Sequence, residues 1–188
     1  MRLTIIYRGK LPSNGSAKSK HNIREQLHPQ LANMWLNHPA LVSSRNLIKA
    51  GDNDGAGDGK LLSTVGNATF STLVHPYLHA YAELDILLLR PHAPSVLTAG
   101  GDIDNQLKTL FDALRRPRDS TELPKDWKQK QEITPLHCLL EDDKLVSRVN
   151  VETDRLLEAP LTNADALVII RVTIKAHSAT WGNLSIIA

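Results

Sequence analysis

Apolar residues recur at helical spacing in two stretches of this 188-residue chain. Between Gly100 and Leu114 they fall at Ile103, Leu107, Leu110, Phe111 and Leu114, a spacing that marks one face of a helix over 103–114. Asp104, Lys108 and Asp112 recur every four residues and share a different face of that helix. Gly100-Gly101 breaks whatever precedes it, and Asp102 suits an N-cap, with Asn105 three residues on. The same pattern returns at Ile23, Leu27, Leu31, Met34 and Trp35, predicting a helix over Asn22–Leu36 that Pro29 should bend or interrupt.

Strand patterns surround these helices. Arg2–Arg8 is rich in β-branched and aromatic residues and stops at Gly9. Tyr81–Arg90 begins with alternation and ends in an aliphatic run, as a strand entering a buried sheet does; Pro91 and Pro94 end it. Lys144–Asp154 alternates, and Asn163–Lys175 contains the strong strand ALVIIRVTIK. Pro135–Leu140 is apolar and leads directly into Glu141-Asp142-Asp143. The order β-α-β-α-β-β predicts an α+β fold, a mixed sheet of about four strands with two helices packed against it. No repeat or second core is visible, so residues 1–188 read as a single domain with loop insertions near 38–79 and 117–135.

The connecting segments carry weaker signals. Gly9–Asn22 is a polar loop, and Lys10, Lys18, Lys20 and Arg24 lie close together there, either solvated or facing phosphate. Gly51–Gly59 places Asp52, Asp54 and Gly57 as a calcium loop would, but Ala56 occupies a ligand position and Ser63 replaces the closing glutamate. A flexible acidic insertion is the better reading. His75 and His79 are four apart with Pro76 between them, and they read as ordinary histidines. Arg118–Gln131 reads as an exposed loop in which Trp127, among Lys125, Lys128 and Lys130, weakly suits nucleic acid.

Composition narrows the classes. Apolar residues make up 41% and aromatics 4%, so the core is mainly aliphatic. A net charge of +2 neither requires nor opposes a nucleic-acid partner. The single cysteine, Cys138, excludes an intrachain disulfide and a cysteine zinc cage, and fits a reducing cytoplasm. Leu3–Tyr7 is too short for a signal-peptide core and Ile86–Leu89 cannot span a bilayer, so a cytoplasmic, non-membrane protein is expected. There is no Walker A loop and no G-x-S-x-G.

What remains is the acidic helix mouth. Asp102 and Asp104 can approach one hard cation such as magnesium if the backbone between them is extended or at a cap. A third carboxylate must come from elsewhere, and Asp142 or Asp143, held between an apolar stretch and a strand, is the obvious source. Lys108 could bind a phosphate oxygen, with Asp112 directing it through an i, i+4 ion pair. The plain alternative is helix capping at Asp102 and an ordinary turn at Asp142-Asp143, with no metal.

Asp102-Ile-Asp-Asn-Gln-Leu-Lys-Thr-Leu-Phe-Asp-Ala-Leu114 resembles the D-x-D-N-x-x-K-x-x-x-D-A-L signature of RusA-type Holliday-junction resolvases. Glu141-Asp-Asp-Lys-Leu-Val146 is similar to that family's D-D-x-x-V segment, and Pro12-Ser13-Asn14 to its P-S-N. The resemblance implies a homodimeric, magnesium-dependent endodeoxyribonuclease that cuts branched DNA symmetrically; by ligand chemistry Mn2+ accepts the same carboxylates as Mg2+. It makes Asp102, Asp104 and Asp143 the metal-binding carboxylates and Lys108 the catalytic lysine. Asn105 and Asp112 match supporting positions, with Asp142 in reserve beside Asp143. Lys10, Lys18, Lys20, Arg24, Arg115 and Arg116 are the basic residues expected at the DNA. Two departures stand out: Thr98-Ala-Gly-Gly101 replaces the basic run common before the first aspartate, and the two insertions exceed a minimal member's length. The alternative readings are a non-catalytic DNA-binding protein on the same fold, and a small-molecule enzyme or assembly protein.

Overall fold

A computed structural model describes residues 1–49, 59–91, 103–158 and 165–187. The chain is α+β, and its main sheet has four strands. These are β1 (Arg2–Lys10), β4 (Ala80–Arg90), β6 (Val146–Arg155) and β7 (Asp165–Ala176), in the order β1-β7-β4-β6. β7 pairs antiparallel with both β1 and β4, while β4 and β6 run parallel. A parallel pair needs a crossover, and here it contains α3 (Ile103–Leu114). The expected mixed sheet is therefore present, with each of its strands read from sequence.

Alternation decides the sheet's two faces. Ile5 and Tyr7 on β1, Leu84, Ile86 and Leu88 on β4, and Val168, Ile170 and Val172 on β7 are all buried in one aliphatic core. Their neighbours Leu87, Leu167 and Ile169 on the other face are only half-buried, and Ile6 is exposed. The core side is covered by α1 (Ala17–Asn37) and α3, and the one-turn helix α2 (Pro39–Val42) adds Leu41 to the core. Burying a Leu- or Ile-sized side chain contributes about 1.5–3 kcal/mol, so this face dominates the stability.

α1 starts five residues before the predicted boundary, because Ser16 caps it: the Ser16 hydroxyl accepts the Ser19 amide at 3.2 Å. Pro29 does not end the helix, which continues to Asn37. Proline removes one intrahelical hydrogen bond, but Pro29 is exposed while Ile23, Leu27, Leu31 and Trp35 anchor the opposite side.

A second sheet was not foreseen. β2 (Leu62–Val65), β3 (Ala68–Val74) and β5 (Leu136–Leu140) form a three-stranded sheet in the order β2-β3-β5, with β3 and β5 parallel. Two of its strands lie in the stretch read as an insertion near 38–79. β5 is wholly buried, and burial pushes the Cys138 thiol up to about 12, which leaves it unreactive.

Several local expectations change. His75 accepts the Tyr77 amide at 3.0 Å and caps a one-turn 3₁₀ segment, Pro76–Leu78, while His79 sits in the left-handed region at φ 51°, so the two histidines share no helix face. Trp127 is half-buried rather than exposed: it packs against the small core formed by Val65, Ala68, Phe70, Leu136 and Cys138, and its indole N–H donates to Glu25 at 2.8 Å. Asp52, Asp54 and Gly57 lie outside the described residues. Among the described residues, no helix is long and apolar enough to cross a membrane.

Candidate active site around helix α3

α3 is amphipathic, but its buried face is turned from the predicted one. Gln106, Thr109, Leu110, Ala113 and Leu114 are buried, whereas Ile103 is 37% exposed and Leu107 and Phe111 are half-buried against the core. Two polar residues enter the buried face because each meets a partner. Gln106 donates to the Leu11 carbonyl at 3.1 Å. Thr109 donates to the Asn105 carbonyl at 3.1 Å and accepts the Gly15 amide at 2.8 Å. Both partners Leu11 and Gly15 belong to the segment just after β1, so the turn containing Pro12-Ser13-Asn14 is tied to α3.

That tie creates a pocket of about 170 Å3, lined by Asn14, Gly15, Lys20, Lys108, Thr109 and Asp112. Asn14 has a left-handed backbone, φ 54°, which asparagine tolerates better than most residues. A Cβ at Gly15 would lie 2.5 Å from the Thr109 methyl, so only glycine permits this approach.

Asp104 lies in the first turn of α3 and is exposed; Lys108, one turn on, is exposed and lines the pocket. Asp112, a further turn along, does not direct Lys108 as the spacing suggested. Its carboxylate is held by Lys20 at 2.7 Å and by Arg115 at 2.9 Å. Burial alone would raise the Asp112 pKa, but the bonds and charges of Lys20 and Arg115 outweigh it and hold the carboxyl below its usual range. Asn105 supplies its carbonyl to Thr109 and so supports the helix beside the pocket. Asp102 lies outside the described residues.

The second acidic segment follows β5. Asp142 caps the 3₁₀ turn Asp143–Leu145 by accepting the Lys144 amide at 3.0 Å, a bond that holds its own carboxyl below the usual range. Asp143 accepts from Arg118 at 3.2 Å, and Arg118 is also 3.7 Å from Asp142. Arg118 is a neighbour of these acids that sequence reasoning missed, having been placed in an exposed loop. α3 touches the Asp143–Leu145 turn, which brings helix and turn into one region. Among the described residues, no three His, Cys, Asp or Glu side chains gather closely enough to hold a metal ion. The donor chemistry of Asp104 and Asp143 nonetheless suits a hard oxygen-seeking cation, and both are accessible enough to meet one.

Two basic residues expected at DNA are instead structural. Arg24 is 1% exposed and donates to the carbonyls of Arg115 at 2.9 Å and Asp112 at 2.5 Å, where the carbonyl end of α3 is negative. Arg115 is 3% exposed and grips Glu122 through two bonds of 2.8 Å, besides Asp112. Burial alone would lower the Arg115 pKa, but the bonds to Glu122 and Asp112 outweigh it and raise it. Arg116 is half-buried and paired with Glu141 at 2.5 Å. Lys10 and Lys18 remain exposed, and Lys20 borders the pocket.

No protein-family model matches this chain, and no curated protein matches it at a significant level.

Proposed function

We propose that this chain is a metal-dependent endodeoxyribonuclease that resolves branched DNA, Holliday junctions in particular, by paired phosphodiester hydrolysis. The observation that carries the reading is the junction of Gly15 with Thr109. It joins two segments 94 residues apart, both of which carry the resolvase resemblance, around one pocket bearing Lys108. On this reading Asp102, Asp104 and Asp143 hold Mg2+ or Mn2+, which when bound stabilises charge on the phosphodiester and helps activate water. Lys108 and Lys20 neutralise a phosphate at the pocket, Asp112 orients Lys20, and Lys10 and Lys18 contact the backbone beyond it.

The same reading takes the protein as a cytoplasmic homodimer. The half-exposed sheet face of Leu87, Leu167 and Ile169, with the exposed Ile6 beside it, supplies apolar surface for a second copy.

The test is incubation of a labelled synthetic four-way junction with the protein in Mg2+ or Mn2+, with linear duplex as control. Paired symmetric nicks in the junction alone are expected. Tight, salt-sensitive binding without cleavage would replace the nuclease with a DNA-binding module, and neither binding nor cleavage would overturn both.

A further inference from the structure

A larger cavity, about 250 Å3, lies between α1, the 3₁₀ turn Arg45–Ile48 and the segment entering β5, and shares no residue with the pocket at Lys108. Its walls include Ala32, Leu36, Ile48 and Pro135 together with the indole of Trp35. The imidazoles of His28 and His137 also line it, stacked 5.2 Å apart and only 8° from parallel, with Trp35 6.5 Å from His137. Trp35 is 1% exposed and His28 and His137 are each 8% exposed, so this aromatic tier forms a nearly buried wall of a cavity of small-molecule size.

Hydrogen bonds set what the tier offers. His28 Nδ1 accepts the His137 amide at 3.0 Å, so the proton of the neutral ring sits on Nε2, a donor. His137 Nδ1 pairs with the Ser71 hydroxyl at 2.5 Å. Ser71 is wholly buried, which removes it as a nucleophile. The committed Nδ1 atoms also leave His28 a poor metal ligand. Burial lowers the pKa of both histidines, that of His137 to about 4, so both rings are neutral at pH 7.

The charge around the cavity is cationic. Arg45 is fixed there by donating to the Trp35 carbonyl at 3.0 Å and to the Leu36 carbonyl. Lys49 is exposed beside it. Neither has a carboxylate partner among the described residues, and Glu132 is the only acid on the lining.

We propose that this cavity binds a small aromatic carboxylate, its ring against Trp35 and the histidine pair and its carboxylate toward Lys49 and Arg45. An aromatic ring gains from the apolar walls and the stacked rings. A carboxylate gains from two cations that have no carboxylate partner among the described residues. The site stands independently of the nuclease reading.

The test titrates the full-length protein with benzoate, and separately with the neutral isostere benzamide, at fixed ionic strength, following the ring resonances of His28 and His137 by NMR. Benzoate should shift both resonances saturably, and benzamide should bind about tenfold more weakly, the scale of one charge-assisted hydrogen bond. Lys49→Gln, an exposed change, should weaken benzoate several-fold and leave benzamide unaffected. Equal affinity for the two probes, no effect of Lys49→Gln, or no saturable shift with either probe would each overturn the proposal.

Discussion

The amide of Gly15 donates to Oγ1 of Thr109 across 2.8 Å, and no side chain larger than hydrogen fits between them. The chain after β1 is thereby locked to the middle of α3, one residue beyond Lys108. Gly15→Ala forces a Cβ to 2.5 Å from the Thr109 methyl and should cost about 1–3 kcal/mol. Thr109→Ser removes that methyl while keeping the hydroxyl, so it should recover part of the loss. Urea midpoints of the single and double variants give the answer, and purely additive losses would show that the contact is not the cause.

Arg115 is the second fixed point. Arg115→Met would leave Asp112 with Lys20 alone and Glu122 with only Arg24 at 3.9 Å, and breaking a buried ion pair by removing one partner costs about 3–5 kcal/mol. Lys20 should gain mobility as well, because Asp112 loses the group that holds it. Thermal or urea unfolding measures the first effect. A loss under 1 kcal/mol, the scale of a surface pair, would show that the cluster is effectively solvated.

His21 gives a pH dependence with a definite sign. It is fully buried, both ring nitrogens lack hydrogen-bond partners among the described residues, and burial lowers its pKa to about 4 against an ordinary 6.5. Glu25, at 3.9 Å, and Trp127, edge-on at 4.2 Å, face it, and at pH 7 the neutral ring makes no ion pair with Glu25. Because the unfolded chain binds the proton more readily, stability falls as pH drops from about 6.5 toward 4. His137, also lowered to about 4, adds to the same slope. His21→Phe should flatten the slope, read from urea midpoints between pH 7 and pH 4.5. An unchanged slope would mean that His21 protonates freely in the fold.

The basic residues divide by burial. Lys18 is exposed on the first turn of α1, so Lys18→Gln should leave stability unchanged and lower the salt slope of DNA affinity by about one. Arg24→Gln should do the reverse, since Arg24 serves two carbonyls at the end of α3 and is 1% exposed. Binding isotherms at several salt concentrations, set beside unfolding curves, separate the two. Equal effects of both variants on the salt slope would contradict the assignment.

How much of this was legible in the sequence follows from the range of each interaction. The four strands of the main sheet and both long helices were readable because periodicity is local, and each except the exposed edge strand β6 buries one face. The sheet β2-β3-β5 was not, since two of its strands are short and β5 is apolar without alternation. The turn of α3 about its axis came from Gln106 and Thr109, whose partners Leu11 and Gly15 are remote in sequence. Arg24 and Arg115 looked like surface cations for the same reason: only the fold shows that Asp112, Glu122 and helix carbonyls surround them. Asp104, Lys108 and Asp112 were correctly seen to share a helix face, yet the partners of Asp112 proved to be Lys20 from α1 and Arg115 just beyond α3.

The most direct measurement compares the parent protein with Asp104→Asn on a labelled four-way junction in Mg2+ or Mn2+. The substitution keeps the size of an exposed side chain and removes its charge, so the fold and the DNA affinity should survive. The account predicts paired, symmetric nicks by the parent and a loss of at least about a hundredfold in the variant. Cleavage by Asp104→Asn at the parental rate would contradict a metal-dependent site at the mouth of α3.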